Sequence, residues 1–403
     1  MKMQSNTQGS MRFFMAFILL FVMSCESYGD IRYYVALIIF FITISTCFYF
    51  NSCLSKRAIK IFFLSILAIL LLGFVYYVPV LSFKININDY SYKDFLFSIL
   101  FKLLMSFVIL SAIEYNVDIF RKVLGAVIAA HIAVFIMQLS VVYLTGYYVD
   151  LLYPITGEAQ RYEALFSLPI IGNVYRPTGL YVEPSTFATY ILWLLALKIN
   201  FDNNVSKFSY VVCILAIATF SLAAMIYAAL FIIVLYYASN AKMYNKVIVS
   251  FTFTLIPVVF SYVFSARLSA LNGSGETLRA NLNKLVFNQN VIDIVFGNGL
   301  YGLPEKVANL RTGSDLWRLG IAALNDNGLW LFLILKVGLV GLIITILIFF
   351  TLLRQPRDRV LFLILLMTKI SFLSFTFVFV LYSLCVFRKN ENVFLLRGKN
   401  KSE

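Results

Sequence analysis

The stretch Tyr175-Arg-Pro-Thr-Gly-Leu-Tyr-Val-Glu-Pro-Ser-Thr-Phe-Ala188 sets an arginine, a carboxylate and a helix start within a few residues of one another. Pro177 biases Arg176 toward an extended conformation, and Gly179 permits a turn. Pro184 suits the first turn of a helix, with Glu183 at or near its cap. That helix would begin with free N–H groups and a positive dipole end. A guanidinium just upstream of such an end is an arrangement that binds phosphate. The plainer reading is a surface pair, Arg176 with Glu183, that only shapes the loop. Arg161 is a weaker phosphate candidate, because Glu158 and Glu163 flank it and can neutralise it.

A second polar stretch carries a similar set. From Ser274 the residues Leu278, Leu282, Leu285 and Val286 recur at helical spacing. Arg279 and Asn283 lie four apart on an adjoining stripe of that helix. The spacing predicts a helix lying on a membrane surface, with Arg279 directed at a lipid head group. Phe296-Gly-Asn-Gly-Leu-Tyr-Gly302 has neither the spacing nor the context of a dinucleotide loop. It reads as a flexible turn that a large sugar substrate can approach. Asn325-Asp326-Asn327-Gly328 precedes the next apolar run. Asp326 there is either a general base or sugar-hydroxyl ligand, or simply a helix N-cap.

The elements that must hold these residues are helices in a membrane. Hydrophobic residues make up 61% of the 403 residues and charged residues 13%, against about 25% charged in soluble chains. Apolar runs cover 13–24, 31–50, 61–83, 95–113, 123–144, 185–199, 208–220, 222–238, 247–264, 329–353 and 360–387. A helix needs about 20 apolar residues to cross a bilayer. The continuous run 208–238 is too long for one straight span, and Ser221 with Ala223 and Ala224 marks a break. The run 360–387, with Lys369 near its middle, poses the same question and is read as a hairpin. This gives an all-α polytopic protein of about 12 transmembrane helices, range about 10–12. It is one membrane domain over 1–403, with large loops at 145–184 and 265–326 on the non-cytoplasmic side. Both termini are predicted cytoplasmic, because lysine and arginine concentrate in one set of short loops. Arg32, Lys84 and Lys93 are the exceptions in the short loops of the other side.

The net charge of +14 lies mainly in those connections. That is a topological bias, not the continuous basic face that nucleic acid requires. Five cysteines without CxxC spacing indicate neither a disulfide framework nor zinc. Walker A, DxD and HExxH patterns are missing from the sequence, so no cofactor and no metal is expected. Lys102, His131, Lys336 and Lys369 fall inside apolar runs, where ionisable groups default to functional hypotheses. Lys336 would either snorkel to the surface or face a substrate cavity. His131 reads first as a residue hydrogen-bonded to a neighbouring helix.

In order and spacing, several of these motifs together resemble bacterial O-antigen polymerases of the Wzy type and the related O-antigen ligases. They are Arg176-Pro-Thr-Gly-Leu-Tyr-Val-Glu-Pro-Ser-Thr-Phe-Ala188, Leu278-Arg279, Phe296-Gly-Asn-Gly299, Asn325-Asp326-Asn327-Gly328 and Gly338-Leu-Val-Gly341. The likeness extends over most of the chain. It implies a metal-independent membrane glycosyltransferase of the GT-C type in a bacterial inner membrane. The donor would be a growing glycan on undecaprenyl pyrophosphate, and the acceptor a single lipid-linked repeat unit. Glu183 and Asp326 would be the catalytic carboxylates. Arg176, Arg279, Arg161 and Lys336 would bind the pyrophosphate. A chain-length regulator and a flippase are implied partners, besides membrane lipid. The ligases look for a histidine in the second large loop, and this loop has none. That departure favours polymerase over ligase. A multi-span transporter is the alternative from another class, with the four buried ionisable residues lining a path.

Overall fold

A computed structural model describes residues 2–49, 56–77, 92–113, 116–161, 167–168, 172–238, 261, 282–300 and 324–387. Among these the chain is helical, apart from a two-residue strand pair, Ser167–Leu168 with Gly172–Asn173. The helices are α1 Lys2–Ser24, α2 Gly29–Tyr49, α3 Lys56–Tyr77, α4 Tyr92–Ala112, α5 Val117–Thr145 and the single turn α6 Tyr153–Thr156. They continue with α7 Pro184–Asp202, α8 Lys207–Ile217, α9 Leu222–Ala238 and α10 Val291–Phe296. The last three are α11 Leu329–Leu352, α12 Pro356–Leu366 and α13 Phe375–Phe387. Four helical stretches, Glu26–Thr46, Lys93–Ala112, Val117–Thr145 and Leu329–Leu352, are long and apolar enough to cross a membrane. Apart from Ser261, the run 247–264 lies outside the described residues, as does Arg279.

The helix α7 forms the axis of the bundle. Every residue from Phe187 to Leu197 on it is buried, as the continuous apolar sequence requires for a helix covered on all sides. Trp193 sits at its middle, with Phe362 and Phe377 edge-on at 5.6 Å ring separation. The outer helices are inverted by soluble standards. Tyr34, Ile38, Phe41 and Ile42 on α2 are exposed, as are Phe63, Leu64, Leu67, Leu71 and Phe74 on α3. A stripe of large apolar side chains this long suits hydrocarbon rather than water.

Local chemistry sets several boundaries. The Asn116 side chain accepts from the N–H groups of Asp118 and Ile119 and starts α5, and Gly146, in the left-handed region, ends it. Pro184 opens α7 with Glu183 at the cap, as expected from the sequence. The run 208–238 breaks at 218–221, where Phe220 takes a positive φ. The run 360–387 breaks over 367–374 into α12 and α13, which are the two arms of the expected hairpin.

Three expectations need correction. The run 329–353 is not one continuous helix, because Gly338 is non-helical at φ 72°, ψ −177°. The described part of the loop helix, 282–287, turns its apolar face to protein, while Asn283, Lys284 and Phe287 stay exposed. Leu282 and Val286 are buried against Leu331, Ile334 and Leu335 of α11. The Phe296-Gly-Asn-Gly segment is not a free turn either. The Asn298 side chain and backbone N–H both donate to the Leu335 carbonyl, at 2.8 and 3.0 Å. That carbonyl stands at the break in α11, where the helical ladder leaves acceptors to be satisfied. Gly297 and Gly338 allow the two backbones to touch: a Cβ on Gly338 would lie 2.1 Å from the Val295 carbonyl oxygen.

Candidate functional site

One end of the bundle gathers the end of α1, the loop before α7, the turn before α11 and the break between α12 and α13. The loop before α7 is held by two buried amides. Gln138 on α5 accepts from the Gly179 N–H at 2.7 Å and donates to the Gln160 side chain at 3.1 Å. Gln160 in turn donates to the carbonyls of Gly179 and Tyr181, at 2.8 and 2.9 Å. The backbone of Arg161 donates to the Val182 carbonyl at 2.8 Å. These bonds bring Arg161 alongside Glu183.

Glu183 is the centre of an ion-pair chain. Its Oε1 meets Arg161 at 2.5 Å, and its Oε2 meets Lys369 Nζ at 3.0 Å. Ser185 Oγ donates to the same Oε2 at 3.2 Å. Lys369 also reaches Asp326 at 2.5 Å. The two carboxylates chosen from the sequence are thus joined through one lysine, carried by the break over 367–374. Burial alone would raise the Glu183 pKa. Lys369, Arg161 and the Ser185 hydroxyl outweigh it and hold the carboxyl below its ordinary value. The Arg161 side chain is 55% exposed, so its share of the pair is screened.

The break is fixed by long-range contacts. Trp193 Nε1 donates to Thr368 Oγ1, and the Leu329 N–H to the Thr368 carbonyl, both at 2.9 Å. Tyr227 donates to the Met367 carbonyl at 2.5 Å. Gly328 packs where a Cβ would stand 2.5 Å from that carbonyl oxygen. Gly328, not Asp326, is the N-cap of α11.

The remaining sequence candidates occupy other places. Among the described residues, Glu183 pairs with Arg161 and Lys369 and not with Arg176, so the expected surface pair is not formed. Arg176 is buried, at 9% exposure, between Val174 and Thr178. Lys336 is fully buried on α11, its ammonium 5.9 Å from the Phe332 ring centre, and does not snorkel. It lies two residues before the Gly338 break. His131 bonds Ser24 Oγ at 2.7 Å and packs at a tilt against the rings of Phe21 and Tyr181, which is the helix-to-helix role expected.

Sequence reasoning noticed Lys369 only as a buried charge and gave Gln138, Gln160 and Asn298 no role. A glutamine inside the apolar run 123–144 is a polar group that must find a partner, and this was the available signal for Gln138. Among the described residues, no group of three or more His, Cys, Asp or Glu side chains is placed to hold a metal ion. Compared with protein-family models, curated proteins and solved structures, the chain matches none of them.

Proposed function

We propose that this protein is a polysaccharide polymerase of the O-antigen type. It would transfer a growing glycan from undecaprenyl pyrophosphate to the non-reducing end of a lipid-linked repeat unit. The observation that carries this reading is the Arg161–Glu183–Lys369–Asp326 chain, which puts both proposed carboxylates and two cations at one end of an apolar bundle. In the reaction a hydroxyl oxygen of the acceptor bonds to the anomeric carbon of the donor. The bond from that carbon to the pyrophosphate oxygen breaks, and the hydroxyl proton passes to a carboxylate. Arginine and lysine offset the charge that grows on the leaving pyrophosphate.

The geometry suggests a division of labour. Glu183 already accepts from Arg161, Lys369 and Ser185, and a carboxylate kept ionised in this way is a weak base. We assign it to positioning Lys369 and Arg161. Asp326 is assigned to the acceptor hydroxyl, with Arg176, Arg279 and Lys336 directed to the pyrophosphate. Two polyprenyl tails require lateral access from lipid, which a site at the end of the bundle allows.

The test is the surface polysaccharide ladder in the native host. Arg176→Ala and Arg279→Ala should leave a single-repeat band with the protein at normal abundance. A normal ladder in both variants would sink the phosphate assignment. The interrupted helices at 218–221, Gly338 and 367–374 favour transport as the second reading, because transporters bind substrate at helix breaks. Substrate flux across vesicles without any glycan extension would select it. The O-antigen ligase alternative predicts polymerised glycan that never reaches the lipid A core.

A further inference from the structure

Arg32 stands at the first turn of α2 and is 6% exposed. Its Nε and Nη1 are buried with no hydrogen-bond partner among the described residues. The neighbouring Tyr33 ring centre lies 4.6 Å from the guanidinium carbon. A buried guanidinium left in this state is costly, and the positive end of its own helix adds to the cost.

The surroundings deepen the imbalance. Lys102 on α4, also 6% exposed, is brought beside Arg32 by their chain neighbours Tyr33 and Phe101, whose ring centres lie 4.8 Å apart. Its ammonium donates to Ser98 Oγ at 2.9 Å and to the Leu373 carbonyl. The nearby carboxylate, Glu26, is committed elsewhere: it accepts from the Tyr190 hydroxyl and from the Phe375 N–H that opens α13. Two buried cations therefore stand near Glu26, whose carboxylate hydrogen-bonds to neither of them among the described residues, while Asp30, the acid in the first turn of α2, is exposed. Leu373 and Phe375 border the same break, 367–374, that presents Lys369 to the Glu183–Asp326 chain.

We infer that Arg32 and Lys102 form a second anion site, separate from the Glu183 chain, that takes the phosphate or diphosphate group of a lipid. The chemistry is that of a fork donor and a point charge beside a helix end. The site does not depend on the polymerase reading. A failed extension assay leaves it intact, and an Arg32→Gln variant that binds as the wild type does leaves the extension reading intact.

The experiment uses the full-length protein in neutral detergent. Thermal unfolding is followed against farnesyl diphosphate, inorganic pyrophosphate and phosphatidylglycerol, with phosphatidylcholine as control. A ligand that binds the folded state raises Tm saturably. The wild type and Arg121→Gln, at the other end of the bundle, should respond alike. Arg32→Gln and Lys102→Met should bind about tenfold or more weakly, as expected for loss of a charged hydrogen bond. Arg32→Gln should fold, since it removes an uncompensated buried charge, and Arg32→Lys should retain part of the response. Saturation by farnesyl diphosphate alone identifies a substrate diphosphate. Equal saturation by phosphatidylglycerol identifies a phospholipid headgroup. A wild type that no anion shifts, or an Arg32→Gln variant that responds as the wild type does, overturns the site.

Discussion

The two ends of the bundle handle charge in opposite ways. At the far end the pairs are mostly local. Arg121 meets Asp118 at 3.2 Å, Lys198 meets Asp202 at 2.6 Å, and Arg357 meets Asp358 at 2.7 Å. Longer links there end mainly on helix termini: Arg121 Nε donates to the Phe201 carbonyl at 2.6 Å. At the loop end Lys369 joins Glu183 to Asp326, Glu26 caps α13, and Lys102 reaches Leu373. None of these partners is a near neighbour in sequence. Local pairs form with the helix itself and finish it. Distant pairs exist only once the elements are docked, and among the described residues they leave the Arg32 Nε and Nη1 without a partner. One end reads as closure, the other as a place prepared for something charged.

The largest effect that sharpens this contrast should come from Lys369→Ala. It leaves two carboxylates facing each other without their shared cation, a loss on the order of 3 kcal/mol for a part-buried network. Glycan extension, scored by ladder length at matched abundance, should fall about 100-fold or more. Unchanged extension would break the contrast. Gly338→Ala comes next. The added Cβ meets the Val295 carbonyl at 2.1 Å, and φ is +72°, so destabilisation of about 3 kcal/mol is expected from strain and clash. Thermal unfolding in detergent measures it.

Asn298→Ala should be milder, about 1–3 kcal/mol, because it strips a donor from the Leu335 carbonyl at the α11 break. The same unfolding assay reads this, and a neutral result would mean that the break supports itself. A pH profile tests Glu183 directly. Its folded pKa lies below the unfolded value, so its contribution is present above the unfolded pKa and is lost as pH falls through the folded one. Wild-type stability should decline on that acid limb, and Glu183→Gln should flatten it. The smallest effect belongs to the far end. Arg121 is 36% exposed, so Arg121→Gln should cost about 0–1 kcal/mol and leave the ladder unchanged.

Much of the fold was legible in the residues. Pro184 with Glu183 announced the start of α7, and Ser221 with its small neighbours announced the break before α9. The charge of Lys369 inside an apolar run argued for a hairpin, and the chain does turn there. The break at Gly338 was not legible. A glycine in an apolar run is compatible with a continuous helix, and only the backbone of α10 arriving against it requires the unusual φ. Of the candidate site, Glu183, Asp326 and Arg161 were named from their loops. Their meeting was not foreseen, because nothing in either loop specifies Lys369 as the link.

By itself, the sequence determined the kind of matter this protein is: helices too apolar for water, broken where a small residue or a buried charge interrupts them. Those properties are local, set by transfer energies and backbone sterics over a few residues. Only the tertiary structure decided which charges share a site. An ion pair between Glu183 and Lys369, or a guanidinium stranded at Arg32, depends on helix packing that brings distant segments within a few ångströms.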